Sequence, residues 1–175
     1  TVMDIRSKSL LITCYLVPLL FFVLMGGIFT SLTPDVTQTL IPSMTVMGVS
    51  MGALIGLPPT LTELYGTQVK KMYQAGGVPL CMGTVTTALS AFVHLMILGG
   101  ILYLAAPLAF DAALPKHPIP YFASLALLIA VTLSLGCVLG LAVKNQSKLT
   151  MICQLFFLPS ILLSGILVPV ELLPS

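Results

Sequence analysis

"LFFLPSILLSGILVPVELLP" occupies Leu155 to Pro174. The stretch is apolar apart from Ser160, Ser164 and Glu171. Its length matches the roughly 20 helical residues that cross a hydrocarbon core of about 30 Å. Proline, small residues and a carboxylate break it up in a definite order. Pro159 removes one backbone hydrogen bond and bars a straight helix. Ser164 and Gly165 permit close approach of a neighbour and further bending. Pro169 ends the helix, and Glu171 then falls where headgroups or water can solvate it. The stretch reads as a helix that crosses a membrane and leaves it at Glu171.

The rest of the chain has the same character. It is 58% hydrophobic and 7% charged over 175 residues, with a mean hydropathy of +1.13. Soluble domains carry about a quarter charged residues, so no water-facing surface can be built from this composition. The expectation is an all-α, polytopic transmembrane helical bundle, because lipid offers no partner to an unpaired backbone. The net charge of +2 comes from scattered residues without a basic stripe, which excludes nucleic acid as a partner. Cys14, Cys81, Cys137 and Cys153 lie in or beside apolar runs without CxxC spacing and read as small hydrophobes.

Five stretches have span length: roughly 10–32, 40–57, 78–106, 121–143 and 149–168. Arg6 and Lys8 precede the first as in a signal peptide. That run is too long and has no Ala-x-Ala site, so a retained helix is the reading. With the N-terminus in the cytoplasm, Arg6, Lys8, Lys70, Lys71, Lys144 and Lys148 lie inside and only Lys116 outside, as the positive-inside rule requires. The chain reads as one transmembrane domain, 1–175. Five spans leave Ser175 outside, and a sixth span is expected beyond it in a longer protein.

Within the spans, small and polar residues recur at helical spacing. Gly48, Gly52 and Gly56 fall every four residues, as do Gly136 and Gly140, and Ser160 and Ser164. Such faces let helices pack closely, either within the chain or at a subunit or moving interface. Gly83, Thr87, Ser90 and His94 form a stripe on the third span, which should face the bundle interior. The stripe either lines a pathway for a polar or amphiphilic substrate or bonds to neighbouring helices and its own backbone. Gln154 in the fifth span poses the same choice, since an amide in hydrocarbon needs a partner. From Pro58 the chain reads as an inner loop running to Gly77. Leu64, Tyr65, Val69, Met72 and Tyr73 in it could form the apolar face of a short interfacial helix. No P-loop or HExxH motif occurs, and the GxSxG string at Gly48–Gly52 lies inside an apolar span instead of on the strand-to-helix turn of a nucleophile elbow, so no catalytic or metal-ligating set is assigned.

The quoted stretch resembles the fifth span of type-2 ABC transporter permeases, the exporter family of ABC membrane subunits. The matching elements are Pro159, Leu163-Ser164-Gly165 and Pro169-Val170-Glu171, followed by Leu172-Leu173-Pro174. "ELYGTQVKKMYQAGGVPL" (Glu63–Leu80) is similar to the family's segment between spans two and three, through Glu63, Gly66-Thr67 and Pro79. The arginine that often adjoins the family's glutamate is absent, with Thr62 and Leu64 flanking Glu63. The resemblance implies six spans and a coupling helix in the inner loop that docks on a separate P-loop ATPase. Glu63, Gly66, Thr67, Lys70, Lys71 and Tyr73 would form the coupling site. ATP and Mg would bind the partner and no cofactor this chain. It further implies pairing with a second permease chain, identical or related, within membrane lipid. The setting would be the plasma membrane, as in the bacterial inner membrane, and the cargo drug-like (multidrug efflux), peptide or lipid-like. Glu171, Leu172 and Leu173 would begin short helices that dip back beneath the outer surface. Two other readings stand beside this one. The first is an ion- or proton-coupled carrier using His94. The second is a membrane-embedded enzyme with its catalytic set outside this stretch.

Overall fold

A computed structural model describes residues 15–32, 40–66, 75–77, 79–111, 114, 115 and 117–163. These form an all-α bundle with no strand among the described residues. The helices are α1 (Val17–Leu32), α2 (Leu40–Met51), α3 (Leu57–Gly66), α4 (Leu80–Phe110), α5 (Pro118–Ala142) and α6 (Gln146–Leu163). A π-helical turn, Gly52–Gly56, joins α2 to α3 without a break. By length and composition, Ile41–Tyr65, Cys81–Phe110 and Pro118–Ala142 can each cross a membrane.

The second span therefore continues to Gly66 instead of giving way to a loop at Pro58. The reason lies in the two prolines. A proline has no N–H to give, a loss without cost in the first turn of a helix. Leu57 donates its N–H to Gly52, five residues back, so the helix slips one residue just before Pro58 and Pro59. The prolines thus open a new helical segment where the sequence had read them as the end of one.

Span two is the most enclosed element. Ile41, Met44, Val49, Ala53, Leu57 and Leu61 are buried along it. They meet Leu95, Leu98, Leu102 and Ala106 of α4 and Leu125, Ile129 and Leu133 of α5 in one core. On α5 the buried residues Leu125, Ile129, Leu133, Gly136 and Gly140 recur at three- and four-residue steps and make one stripe. Leu127, Val131, Leu135 and Val138 are exposed on the same helix. A helix that is apolar all round belongs in lipid.

The glycines set how closely these helices approach. A Cβ at Gly136 would run into the carbonyl oxygen of Ala53. One at Gly140 would sit 3.1 Å from Pro58 Cα and 3.2 Å from Leu61 Cβ. On span two, a Cβ at Gly52 would lie 2.5 Å from Leu95 Cδ2, and one at Gly48 would lie 3.4 Å from Leu98 Cδ2. Gly56 is only half-buried, because the π turn breaks the four-residue repeat that would have aligned it with Gly48 and Gly52. At the helix ends, Asp111 closes α4 with a left-handed φ of 49°, a conformation that Asp tolerates better than most residues. Asn145 Oδ1 accepts from the Lys148 N–H at 3.2 Å and caps the start of α6.

Gly136→Ala should destabilise the bundle by about 1–3 kcal/mol, because backbone has to move to admit the methyl. Gly100→Ala, with nothing within 4 Å of the new Cβ, should not. Thermal unfolding of the two variants in the same detergent checks this.

Candidate functional site at the inner end of span two

The turn-and-a-half of helix ahead of Gly66 is tied to three neighbours. On the α5 side, Thr62 Oγ1 donates to the carbonyls of Pro58 (3.1 Å) and Gly140 (3.4 Å), while Leu61 is fully buried. On the α4 side, the hydroxyls of Tyr65 and Thr84 share a hydrogen bond. On the α6 side, Gln146 Nε2 donates to Glu63 Oε1 at 3.5 Å. Glu63 itself is exposed. The arrangement is a helix end held from several directions that still presents a carboxylate. Gly66 ends α3, and Thr67, Lys70, Lys71 and Tyr73 lie outside the described residues.

The stripe on α4 is bonded largely to its own helix. Thr87 Oγ1 donates to the Gly83 carbonyl at 2.8 Å. His94 Nδ1 lies 2.8 Å from the Ser90 carbonyl. The Tyr15 ring stands edge-on to the His94 ring, centroids 5.9 Å apart, and its hydroxyl donates to the His94 carbonyl at 3.4 Å. Gly83 is buried, and Thr87, Ser90 and His94 are half-buried. Gln154 is exposed on α6, a helix that packs chiefly on the π turn, α3 and α5. The structure does not bring Gln154 to the stripe. Pro159 lies inside α6, and Ser160 Oγ donates to the Phe156 carbonyl at 2.7 Å. Ser164, Gly165, Pro169 and Glu171 lie outside the described residues.

Among the described residues, two clefts between the helices are lined without Thr87, Ser90 or His94. One, of about 310 Å³, lies between the start of α2 and the start of α5. There Thr45 Oγ1 donates to the Ile41 carbonyl at 2.7 Å and lies 2.8 Å from the Tyr121 hydroxyl. The other, of about 540 Å³, separates the inner halves of α4 and α5, with Thr84, Phe92, Leu133 and Cys137 among its walls. Cys81, Cys137 and Cys153 are free thiols. Among the described residues no cluster of His, Cys, Asp and Glu could hold a metal ion.

Sequence reading missed Thr84, Tyr121 and the π turn. The usable signal was "GLPP" (Gly56–Pro59) inside an apolar run, where paired prolines mark either a helix end or a helix start.

Architecture and composition together define an integral membrane protein built from transmembrane helices. The sequence model of the ABC-2 type transporter family matches residues 3–175. The chain belongs to that family, as the motifs around Pro159 and Glu63 had indicated, and is the membrane permease part of an ABC transporter. The family works with an ATPase partner. No curated protein and no solved structure matches the chain.

Tyr65→Phe and Thr84→Val should each cost about 1 kcal/mol, the net worth of one hydrogen bond. The double variant should cost little more than either single one, since both remove the same contact. A double-mutant cycle on thermal stability measures this.

Proposed function

We propose that the chain is the permease subunit of an ATP-driven exporter that moves a drug-like, peptide or lipid-like substrate outward by alternating access. The observation that carries the reading is the held helix end at Glu63. It lies on the side that the positive-inside rule makes cytoplasmic, and it is bonded to three helices while offering an exposed carboxylate. A separate P-loop ATPase, with ATP and Mg bound to it, docks on the segment from Glu63 through Gly66, Thr67, Lys70 and Lys71 to Tyr73. Closure of the ATPase pushes on this segment, and the bundle switches. A second permease chain, identical or related, completes the transporter in the plasma membrane, and the cargo leaves outward or into the outer leaflet. Thr87, Ser90, His94 and Gln154 remain the candidate cargo contacts. Thr87, Ser90 and His94 lie on α4 and Gln154 on α6, and among the described residues the two clefts are lined by other side chains.

Gentle detergent extraction of the full-length protein from its native membrane should bring down a P-loop ATPase in comparable amount. In that complex, Glu63→Ala and a substitution at Gly66 should lower transport per ATP hydrolysed by about tenfold, within the range for breaking a coupling contact. Unchanged coupling in both variants, or extraction without any ATPase, would remove the docking role.

A further inference from the structure

We propose that the π turn Gly52–Gly56 is a mechanical joint. At it, the inner half of span two swings as one body with α5, against a second body made of the outer half and α4. The inference goes beyond the exporter reading. It concerns this chain's own motion and stands whether or not an ATPase drives it.

Four observations converge on the turn. The first is its hydrogen bonding. Leu57 bonds to Gly52 in the five-residue register, and neither Pro58 nor Pro59 can donate. The Leu54 carbonyl consequently has no ladder donor in the α or the π register, and the helix is weakest against bending there. Single π turns of this kind recur at functional sites.

The second is a change of partner. The outer segment α2 packs chiefly on α4, whereas the inner segment α3 packs chiefly on α5. One continuous helix thus belongs to two neighbours, and the exchange falls at the π turn. A hinge between two packed bodies takes this form.

The third is the tightness of the inner body. Gly136 and Gly140 bring α5 against the backbone of Ala53 and Pro58, and Thr62 bonds across to Gly140. Contact between backbones leaves α3 little freedom to slide on α5. The fourth is room to move. In their outer halves α4 and α5 touch closely, with a Cβ at Gly99 falling 2.5 Å from Leu125 Cδ2. In their inner halves they are parted by the cleft of about 540 Å³. At the inner end the hydrogen bond between Tyr65 and Thr84 crosses from one body to the other. Swinging the bodies apart there must break that bond.

The test is a pair of distance distributions from spin labels on the full chain in lipid nanodiscs. The four native cysteines are first replaced by alanine. One pair, Leu64→Cys with Ile119→Cys, lies within the proposed inner body. The other, Leu64→Cys with Leu108→Cys, spans the joint. Leu108 and Ile119 are 88% and 82% exposed, so labels there meet no packing. The spanning pair should give a distribution about twice as wide as the internal pair, as expected of hinge motion between packed bodies. Pro58→Ala with Pro59→Ala, which restores the missing donors, should narrow the spanning pair to the internal width. Tyr65→Phe should widen the spanning pair alone, and it keeps the test open if the proline variant does not fold. Equal widths in the parent chain, or a spanning width indifferent to the variants, would overturn the joint.

Discussion

Backbone lies directly on backbone where the fifth helix meets span two. The Ala53 carbonyl faces the Cα of Gly136, and one turn further Pro58 faces Gly140. In lipid there is no hydrophobic drive to bring two helices together, since the tails are as apolar as leucine. What holds them is short-range attraction between closely fitted surfaces, which fails steeply with separation. The rest of the bundle depends on this contact. It fixes the depth at which Leu57 and Leu61 enter the core, it brings Thr62 within reach of Gly140, and it sets where α3 ends.

Polar side chains in this setting are satisfied at home. Thr45, Thr60, Thr62, Thr87, Thr132, Thr150, Ser134 and Ser160 each donate to the carbonyl four residues earlier on the same helix. Among the described residues no buried side-chain nitrogen or oxygen lacks a partner. This removes the penalty of a hydroxyl in hydrocarbon without requiring a neighbour. The tyrosines play a different part. Tyr15, Tyr65 and Tyr121 reach past their own helices to His94, Thr84 and Thr45, so phenolic hydroxyls at the end of long rings join Thr62–Gly140 and Gln146–Glu63 in linking one helix to another.

The membrane class and the all-α bundle were legible because they follow from composition and length alone. With so few charges the chain cannot build a wetted surface, and long apolar runs can only be helices in lipid. The family was legible because Pro159, Ser164-Gly165 and Pro169-Val170-Glu171 stand in a rare order. The course of span two past Pro58 was not. Its continuation depends on a one-residue register slip that leaves no periodic mark, and a proline pair is equally consistent with stopping a helix and with starting one. The link from Tyr65 to Thr84 was hidden for another reason. The two residues belong to different helices, and only the packing that carries α3 alongside α4 brings them together. The stripe of Gly83, Thr87, Ser90 and His94 was visible as a pattern, but spacing does not show whether a hydroxyl looks toward a neighbour or back along its own turn.

The slip at Gly52–Gly56 also fixes a phase. Each residue of an α-helix advances the chain by about 100° around its axis. With the extra residue in place, Leu61 and Thr62 address α5, and Tyr65 addresses α4. Remove one residue from the turn and all that follows on α3 would rotate by that angle. Leu61 would leave the core and Tyr65 would lose Thr84, although no contact residue had been altered. Side-chain changes in the turn can be absorbed by small shifts of neighbours, but a change of chain length cannot. For this segment the quantity under constraint is a count, the number of residues between two helices that must face different ways.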